Sequence, residues 1–96
     1  MLVLITYDVE TATREGAKRL RQVAKILLNY GHRVQNSVFE CSITQAQFVA
    51  VKSQIANVIN FDVDNIRFYH LGNNWHGKIE SFGRSTALDF DGELII

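Results

Sequence analysis

Residues 2–7 constrain the fold more than any other part of the sequence. They form a continuous apolar run of strand length that ends at Asp8, and the polar stretch that follows, residues 9–16, is interpreted as a loop. Side chains of both parities in this run are apolar, so both faces of the sheet to which it belongs need cover. The rest of the chain must therefore supply helices for one face, and something further for the other.

Two segments have the spacing of amphipathic helices. Apolar residues recur at helical intervals over residues 17–30, and Gly31 stands where a left-handed C-terminal cap would end the first helix. A second helix is predicted to open at Thr44, because Gln47 follows at the spacing of a capping box. The apolar stripe of this second helix consists of Phe48, Val51, Ile55, Val58 and Ile59.

The segments around these helices are rich in β-forming residues. We predict a second strand over residues 33–41, a third over 65–71, a fourth over 78–82, and a short fifth strand or tail over 93–96. This order indicates an α/β (α+β) fold, a ferredoxin-like split β-α-β sandwich with its helices on one sheet face. Residues 1–96 are assigned to one domain, because neither half of so short a chain could bury a core.

The second sheet face has no predicted helix to cover it. We therefore expect that face to pack against a second copy of the chain, which makes the protein a homodimer. The apolar tail at residues 93–96 is expected to extend the sheet edge of the partner protomer.

Composition excludes several classes of protein. An apolar share of 47% with 21% charged residues is typical of a globular chain. No apolar run reaches the roughly 20 residues that span a bilayer, and the first residues lack the basic segment of a signal peptide. We expect a cytoplasmic protein with no membrane partner. The single cysteine, Cys41, cannot form an internal disulfide and is interpreted as a buried strand residue.

Positive charge is concentrated in one region although the net charge is zero. Residues 14–33 contain six basic residues and one acid, Glu15. A solvated helix face would explain them, but their concentration favours contact with phosphate. Because phosphate contacts carry no base information, binding should be independent of sequence. The candidate nucleic-acid-binding residues are Arg14, Lys18, Arg19, Arg21, Arg33, Ser37 and Phe39, the last two on one strand face, with core or interface packing as the alternative for Phe39.

Asp8 is the candidate catalytic and metal-binding residue. It stands at the end of the first strand, where functional groups of α/β folds are often placed, and a role as a turn residue is the alternative. If Asp8 lies near the two-fold axis of a dimer, two carboxylates approach each other, and protonation or a shared divalent cation would relieve their repulsion. Mg²⁺ suits this arrangement, because it prefers oxygen ligands and keeps waters, one of which could attack a phosphodiester.

Three stretches of the sequence resemble the second CRISPR-associated protein family. They are residues 5–9 (ITYDV), residues 18–25, and the long run over residues 29–41 (NYGHRVQNSVFEC), with a further match over residues 66–72. The resemblance implies a ferredoxin-like homodimer, a metal site formed by the first-strand aspartate of both protomers, nuclease activity in some members, and a bridging role with the CRISPR integrase. Asp8 matches that aspartate. Arg19, Arg21 and Arg33 match basic family positions, and Ser37 and Phe39 fall in the strand of the motif.

Two functions are therefore expected. The first is a metal-dependent endonuclease that cuts DNA or RNA, and the second is a non-catalytic scaffold that holds duplex DNA between integrase subunits during spacer acquisition. The scaffold requires the basic surface and the dimer, whereas the nuclease also requires Asp8. We favour the scaffold as the physiological role. A toxin-like ribonuclease of similar fold is a third hypothesis.

Overall fold

The computed structural model describes residues 1–72 and 79–84, and the predicted tail at residues 93–96 lies outside these ranges. The elements of the described residues are β1 (Leu2–Asp8), α1 (Arg14–Leu27), β2 (Gly31–Gln35), β3 (Val38–Ser42), α2 (Gln45–Ala56), β4 (Asn65–His70) and β5 (Ile79–Gly83). The strands form an antiparallel sheet in the order β2-β3-β1-β4-β5. This is the predicted ferredoxin-like arrangement, with β5 added beside β4. Neither helix is long and apolar enough to cross a membrane within the described ranges.

β1 is the central strand, as its apolar run predicts. Val3, Ile5 and Tyr7 are buried on the face that the helices cover, while Leu4, Thr6 and Asp8 point to the opposite face because side chains alternate along a strand. The predicted helical stripes are confirmed for the buried side chains that α1 and α2 contribute to the core: Val23, Ala24, Leu27, Phe48, Val51 and Ile55. Val58 and Ile59, predicted for the same stripe, lie beyond the end of α2 at Ala56 and pack on the core from the following turn. No helix or strand of the described residues packs on the opposite face.

The prediction of a single strand over residues 33–41 was wrong. The chain forms a β-hairpin here, in which β2 and β3 pair antiparallel on either side of a turn at Asn36 and Ser37. Asn36 and Ser37 are both residues that favour turns, but the pair lacks the glycine that marks most two-residue hairpin turns. Ser37 consequently lies in the turn and does not share a strand with Phe39.

The ends of the first helix also differ from the prediction. α1 begins at Arg14 because Thr13 caps it, with the Thr13 hydroxyl accepting a hydrogen bond from the Gly16 N–H at 3.0 Å. Gly31 is not a left-handed cap but the first residue of β2. A Cβ atom at Gly31 would lie 2.0 Å from the carbonyl oxygen of Glu40, so glycine is required by the close approach of two strands.

The start of the second helix confirms the sequence prediction. The Thr44 hydroxyl accepts a hydrogen bond from the Gln47 N–H at 3.1 Å, and the Gln47 side chain accepts one from the Thr44 N–H at 2.9 Å. This reciprocal capping box fixes where α2 leaves the sheet. Cys41 is buried on the helix-covered face, where burial and the nearby Glu40 charge raise the pKa of its thiol to about 11. The thiol is therefore protonated at neutral pH and serves as packing.

Candidate metal and nucleic-acid site

Asp8 lies at the end of β1 on the sheet face that no described element covers. Its register partner on β4 is Asn65, and its side chain is 67% exposed. Oδ2 of Asp8 accepts a hydrogen bond from Nη2 of Arg84 at 3.0 Å, and Oδ1 has no partner among residues 1–72 and 79–84. Among the described residues, the carboxylate is therefore exposed, with one oxygen engaged by a cation and the other open.

The backbone places Arg84 beside Asp8. Gly83 adopts a φ of 100°, a conformation that favours glycine, and a Cβ atom there would lie 2.2 Å from the Asp64 carbonyl oxygen. The Arg84 N–H donates to that same carbonyl at 2.6 Å, and the Asn65 side-chain amide donates to the Arg84 carbonyl at 2.5 Å. Because Asp8 and Arg84 are 76 positions apart, no local pattern in the sequence could reveal this pair.

Ionic contacts on the opposite sheet face hold β5 against the rest of the molecule. Glu80 of β5 accepts from Nζ of Lys52 on α2 at 2.8 Å and lies 2.7 Å from Nε2 of His70 on β4. Burial opposes ionisation of Glu80, but the hydrogen bonds from Lys52 and His70 outweigh it and hold the pKa of Glu80 below its ordinary value. The ionised Glu80 therefore holds β5, the strand that Arg84 follows, against α2 and β4.

The chemistry of Asp8 fits a magnesium ligand, but residues 1–72 and 79–84 of one chain do not complete a metal site. Mg²⁺ binds carboxylate oxygens and retains several waters, and an exposed carboxylate with an open oxygen meets that requirement. Within the described ranges, however, no cluster of three or more acidic, histidine or cysteine residues could hold a metal ion. A metal ion bound to Asp8 would therefore need ligands in addition to the described residues of one chain.

Asp64 is a second, buried carboxylate close to the site, and the sequence analysis missed it. Its side chain is fully buried and accepts hydrogen bonds from the Tyr7 hydroxyl at 2.5 Å, from Arg19 at 2.8 and 3.1 Å, and from the Asn60 N–H at 3.0 Å. Burial opposes its ionisation, but these donors and the Arg19 charge outweigh burial and place the pKa of Asp64 below its ordinary value. Asp64 ties β1, α1 and the start of β4 together.

The predicted basic residues on α1 separate into two groups. Arg14, Lys18 and Arg21 are exposed and recur at the spacing that places side chains on one helix face. Arg19 points to the other side, is 18% exposed, and commits two nitrogens to Asp64. The first three form the exposed basic face of α1. Arg19 was a candidate for phosphate contact as well, but its guanidinium is already engaged by Asp64.

The remaining candidates lie on the β2–β3 hairpin. The Arg33 guanidinium is exposed and stands 5.1 Å from the centre of the Phe39 ring. The Phe39 side chain is fully buried, so its ring has no surface to offer a base, and the structure places it in the core. Ser37 is half-buried, and its carbonyl accepts from the Tyr7 N–H at 2.9 Å. A phosphate contact through its hydroxyl stays a prediction.

Comparison with known proteins places this chain and its fold in a family. The sequence profile described as "CRISPR associated protein Cas2" matches residues 1–79. A protein of Chlorobaculum tepidum named "CRISPR-associated endoribonuclease Cas2" is 49% identical over 96 residues, which is all of both chains. One of Halalkalibacterium halodurans named "CRISPR-associated endonuclease Cas2" is 48% identical over 95 residues, 99% of each chain.

The solved structures agree with this result. The crystal structure of Streptococcus pyogenes Cas2 at pH 6.5 matches with a TM-score of 0.75 and 55% identity, covering 86% of this chain and all of that chain. A hypothetical protein from Thermus thermophilus matches with a TM-score of 0.66 and 26% identity, covering 75% and 82% of the two chains. The resemblance seen in the sequence is confirmed, and the chain belongs to the CRISPR associated protein Cas2 family.

Proposed function

We propose that this chain is a homodimeric, nucleic-acid-binding subunit of CRISPR spacer acquisition with metal-dependent endonuclease activity. The observation that carries the proposal is the position of Asp8, an exposed carboxylate with one oxygen open among the described residues, on the sheet face that no described element covers. The names of the two relatives above, an endoribonuclease and an endonuclease, support phosphodiester cleavage as the reaction.

The uncovered sheet face supports the dimer. On this face, Leu2, Leu4, Thr6 and Asp8 form a row along β1. Leu4 lies in register with Tyr69 of β4, and Thr6 lies in register with Val38 of β3, so the surface around this row is largely apolar with some polar groups. Leu2, in the same row, is 39% exposed. Packing this surface against its copy would remove it from water and bring the two Asp8 carboxylates toward each other.

In the proposed reaction, the Asp8 carboxylates of both protomers hold the divalent cation and the basic residues hold the substrate. A bound Mg²⁺ would polarise a phosphoryl oxygen and activate a water for attack on phosphorus. Arg14, Lys18 and Arg21 would bind the nucleic-acid backbone through its phosphates, without reading bases. The products would be a phosphate-terminated end and a free hydroxyl end.

The non-catalytic scaffold is the second candidate, and the Asp8–Arg84 ion pair favours it. Half of the Asp8 carboxylate is satisfied by an internal cation, so Asp8 has a role in the folded chain even without a metal ion. The exposed basic face of α1 does not depend on Asp8. A dimer could therefore hold DNA between subunits of the CRISPR integrase while Asp8 contributes only to local structure.

Substitution of Asp8 by asparagine tests the proposal. Asp8→Asn keeps the shape of the side chain but removes its charge, so we expect the variant to fold, dimerise and bind duplex DNA as the wild type does. Cleavage of DNA or RNA, which the wild type should show only with a divalent cation, should be abolished. Asp62→Asn, which neutralises another exposed aspartate in the α2–β4 loop, is the matched control and should cut normally.

The same variant distinguishes the two functions in cells. If the scaffold is the physiological role, spacer acquisition persists in cells that carry Asp8→Asn. Loss of acquisition with an intact dimer would show that the metal chemistry is physiological. Full cleavage by purified Asp8→Asn would overturn the assignment of Asp8 to the catalytic metal site and leave Asp8 as a turn residue.

A further inference from the structure

The cation that already contacts Asp8 is part of the chain itself. We infer that Arg84 sets the affinity of Asp8 for divalent cations, because its guanidinium competes for the carboxylate that the metal ion would use. The inference rests on the proposed metal role of Asp8. It adds a residue that opposes metal binding, so that occupancy of the site depends on what else draws Arg84 away.

The position of Arg84 is fixed by backbone contacts rather than by its exposed side chain. The left-handed Gly83 turn and the hydrogen bonds that Arg84 makes with Asp64 and Asn65 hold the end of β5 beside the end of β1. The guanidinium is thereby delivered to Asp8 in the folded chain without a partner protein or substrate. An arginine that met Asp8 only by chance would not need this framework.

The geometry of the Arg84–Asp8 ion pair suits competition with a metal ion better than a role in orienting the Asp8 side chain. A single nitrogen of Arg84 reaches a single oxygen of Asp8 at 3.0 Å, and the two side chains are 47% and 67% exposed. An exposed pair of this kind orders its partners weakly. Its positive charge nevertheless repels a divalent cation bound to the same carboxylate, and that repulsion acts at every side-chain orientation within a few ångströms.

The same competition would couple binding of a nucleic-acid substrate to binding of the metal ion at Asp8. A nucleic-acid phosphate brings a negative charge and fork-shaped acceptors that suit a guanidinium. When phosphate draws Arg84 away from Asp8, both carboxylate oxygens become available to the metal ion. Metal and nucleic acid would then bind with positive cooperativity, since each favours the arrangement that the other requires.

Binding of Mn²⁺ to the full-length protein tests the inference without an activity measurement. Mn²⁺ takes the same oxygen ligands as Mg²⁺, and its unbound form is counted directly by electron paramagnetic resonance. At low ionic strength, Arg84→Gln should bind Mn²⁺ about three- to tenfold more tightly than the wild type, because it removes one like charge beside the ion. Arg84→Lys retains the charge and should bind as the wild type does.

A matched charge control separates a local effect from a change in net charge. Lys25 is exposed in the last turn of α1, at the end of the helix far from Asp8, and Lys25→Gln should leave Mn²⁺ affinity unchanged. Added salt should shrink the difference between Arg84→Gln and the wild type, since screening weakens the repulsion.

The outcomes distinguish this inference from the proposed function. If wild type and Asp8→Asn bind Mn²⁺ equally, Asp8 is not a metal ligand, and the proposed metal site fails together with the competition. If binding requires Asp8 but Arg84→Gln leaves the affinity unchanged or weakens it, the metal site stands and the competition is overturned. Equal tightening by Lys25→Gln would also overturn it, because the effect would then be one of net charge.

Discussion

The molecule contains two aspartate–arginine pairs with the same chemistry and opposite environments. Arg19 meets Asp64 at 2.8 Å, and Arg84 meets Asp8 at 3.0 Å. Asp64 is fully buried beneath the helices and receives further hydrogen bonds from Tyr7 and Asn60, whereas Asp8 is mostly exposed and has one protein donor among the described residues. Distance alone would rank the two pairs as equal.

Burial decides what each pair can do. A buried charge is stable only while its donors remain, so the Asp64 pair has to persist for the chain to stay folded. An exposed pair exchanges with water and ions at little cost, so Asp8 can change partners. The two are linked, because the backbone carbonyl of Asp64 accepts from the Arg84 N–H. The residue of the buried pair, Asp64, therefore helps to position Arg84 of the exposed pair.

The comparison is tested most strongly by removing the buried charge. Asp64→Asn leaves Arg19 without its counter-ion and weakens every hydrogen bond to this side chain, so the free energy of unfolding should fall by about 3 kcal/mol. Asp8→Asn, the same change at the exposed pair, should cost less than about 1 kcal/mol. Urea denaturation of both variants and the wild type, at one fixed protein concentration, measures the difference.

Acid provides an internal check on that result. The pKa of Asp64 is lower in the folded than in the unfolded chain, so its stabilising effect is present above the unfolded value of about pH 4 and is lost as the pH falls below it. The gap between the wild type and Asp64→Asn should therefore narrow in acid. Equal stability losses for the two asparagine variants at neutral pH would contradict the distinction between the pairs.

A smaller change tests whether the Tyr7 hydroxyl belongs to the buried pair. Tyr7→Phe removes only the hydroxyl that donates to Asp64, and it should lower the free energy of unfolding by about 1 kcal/mol. Burial, together with the hydrogen bond to Asp64, raises the pKa of Tyr7, so its contribution is present below the unfolded value of about 10 and is lost as the pH rises above it. The difference between the wild type and Tyr7→Phe should shrink above pH 10, and a constant difference up to pH 11 would contradict this role.

The same contrast explains how much of the structure the sequence could predict. The first strand, the Thr44–Gln47 capping box and most of the apolar stripes of the two helices depend on neighbours within a few positions, and these were predicted correctly. The end of the second stripe was not, because α2 ends at Ala56 before Val58 and Ile59. The hairpin at Asn36 and Ser37 was missed because these two turn-favouring residues stand without the glycine of a typical two-residue hairpin turn, within a segment rich in β-forming residues.

The candidate site was predicted only in part for a similar reason. Asp8 could be identified from its place at the end of a strand, but neither Arg84, which contacts it, nor the buried Asp64 could be identified in this way. Asp64 meets Tyr7 and Arg19 across 57 and 45 positions, and Asp8 meets Arg84 across 76. Before the fold is known, Asp64 is one of several polar residues in a loop, and Arg19 is one of several cations on a helix. Burial and partner choice are properties of the tertiary structure.

The smallest effect on stability is expected at Arg21, which extends the comparison to a cation with no ion pair among the described residues. Arg21 lies on the exposed basic face of α1, so Arg21→Gln should change the free energy of unfolding by less than about 0.5 kcal/mol. Its effect should appear instead in binding to duplex DNA, where the loss of one phosphate contact reduces the log–log salt slope by about 0.9 on unrelated sequences alike. Arg19→Gln should give the opposite pattern, with a large loss of stability and an unchanged slope, because its guanidinium is committed to Asp64.

Fluorescence anisotropy over a range of salt concentrations, with each variant kept below its unfolding transition, measures the slopes. An equal loss of slope for both arginines would show that Arg19 reaches phosphate despite its internal partner, and the division of the α1 cations into structural and binding groups would fall.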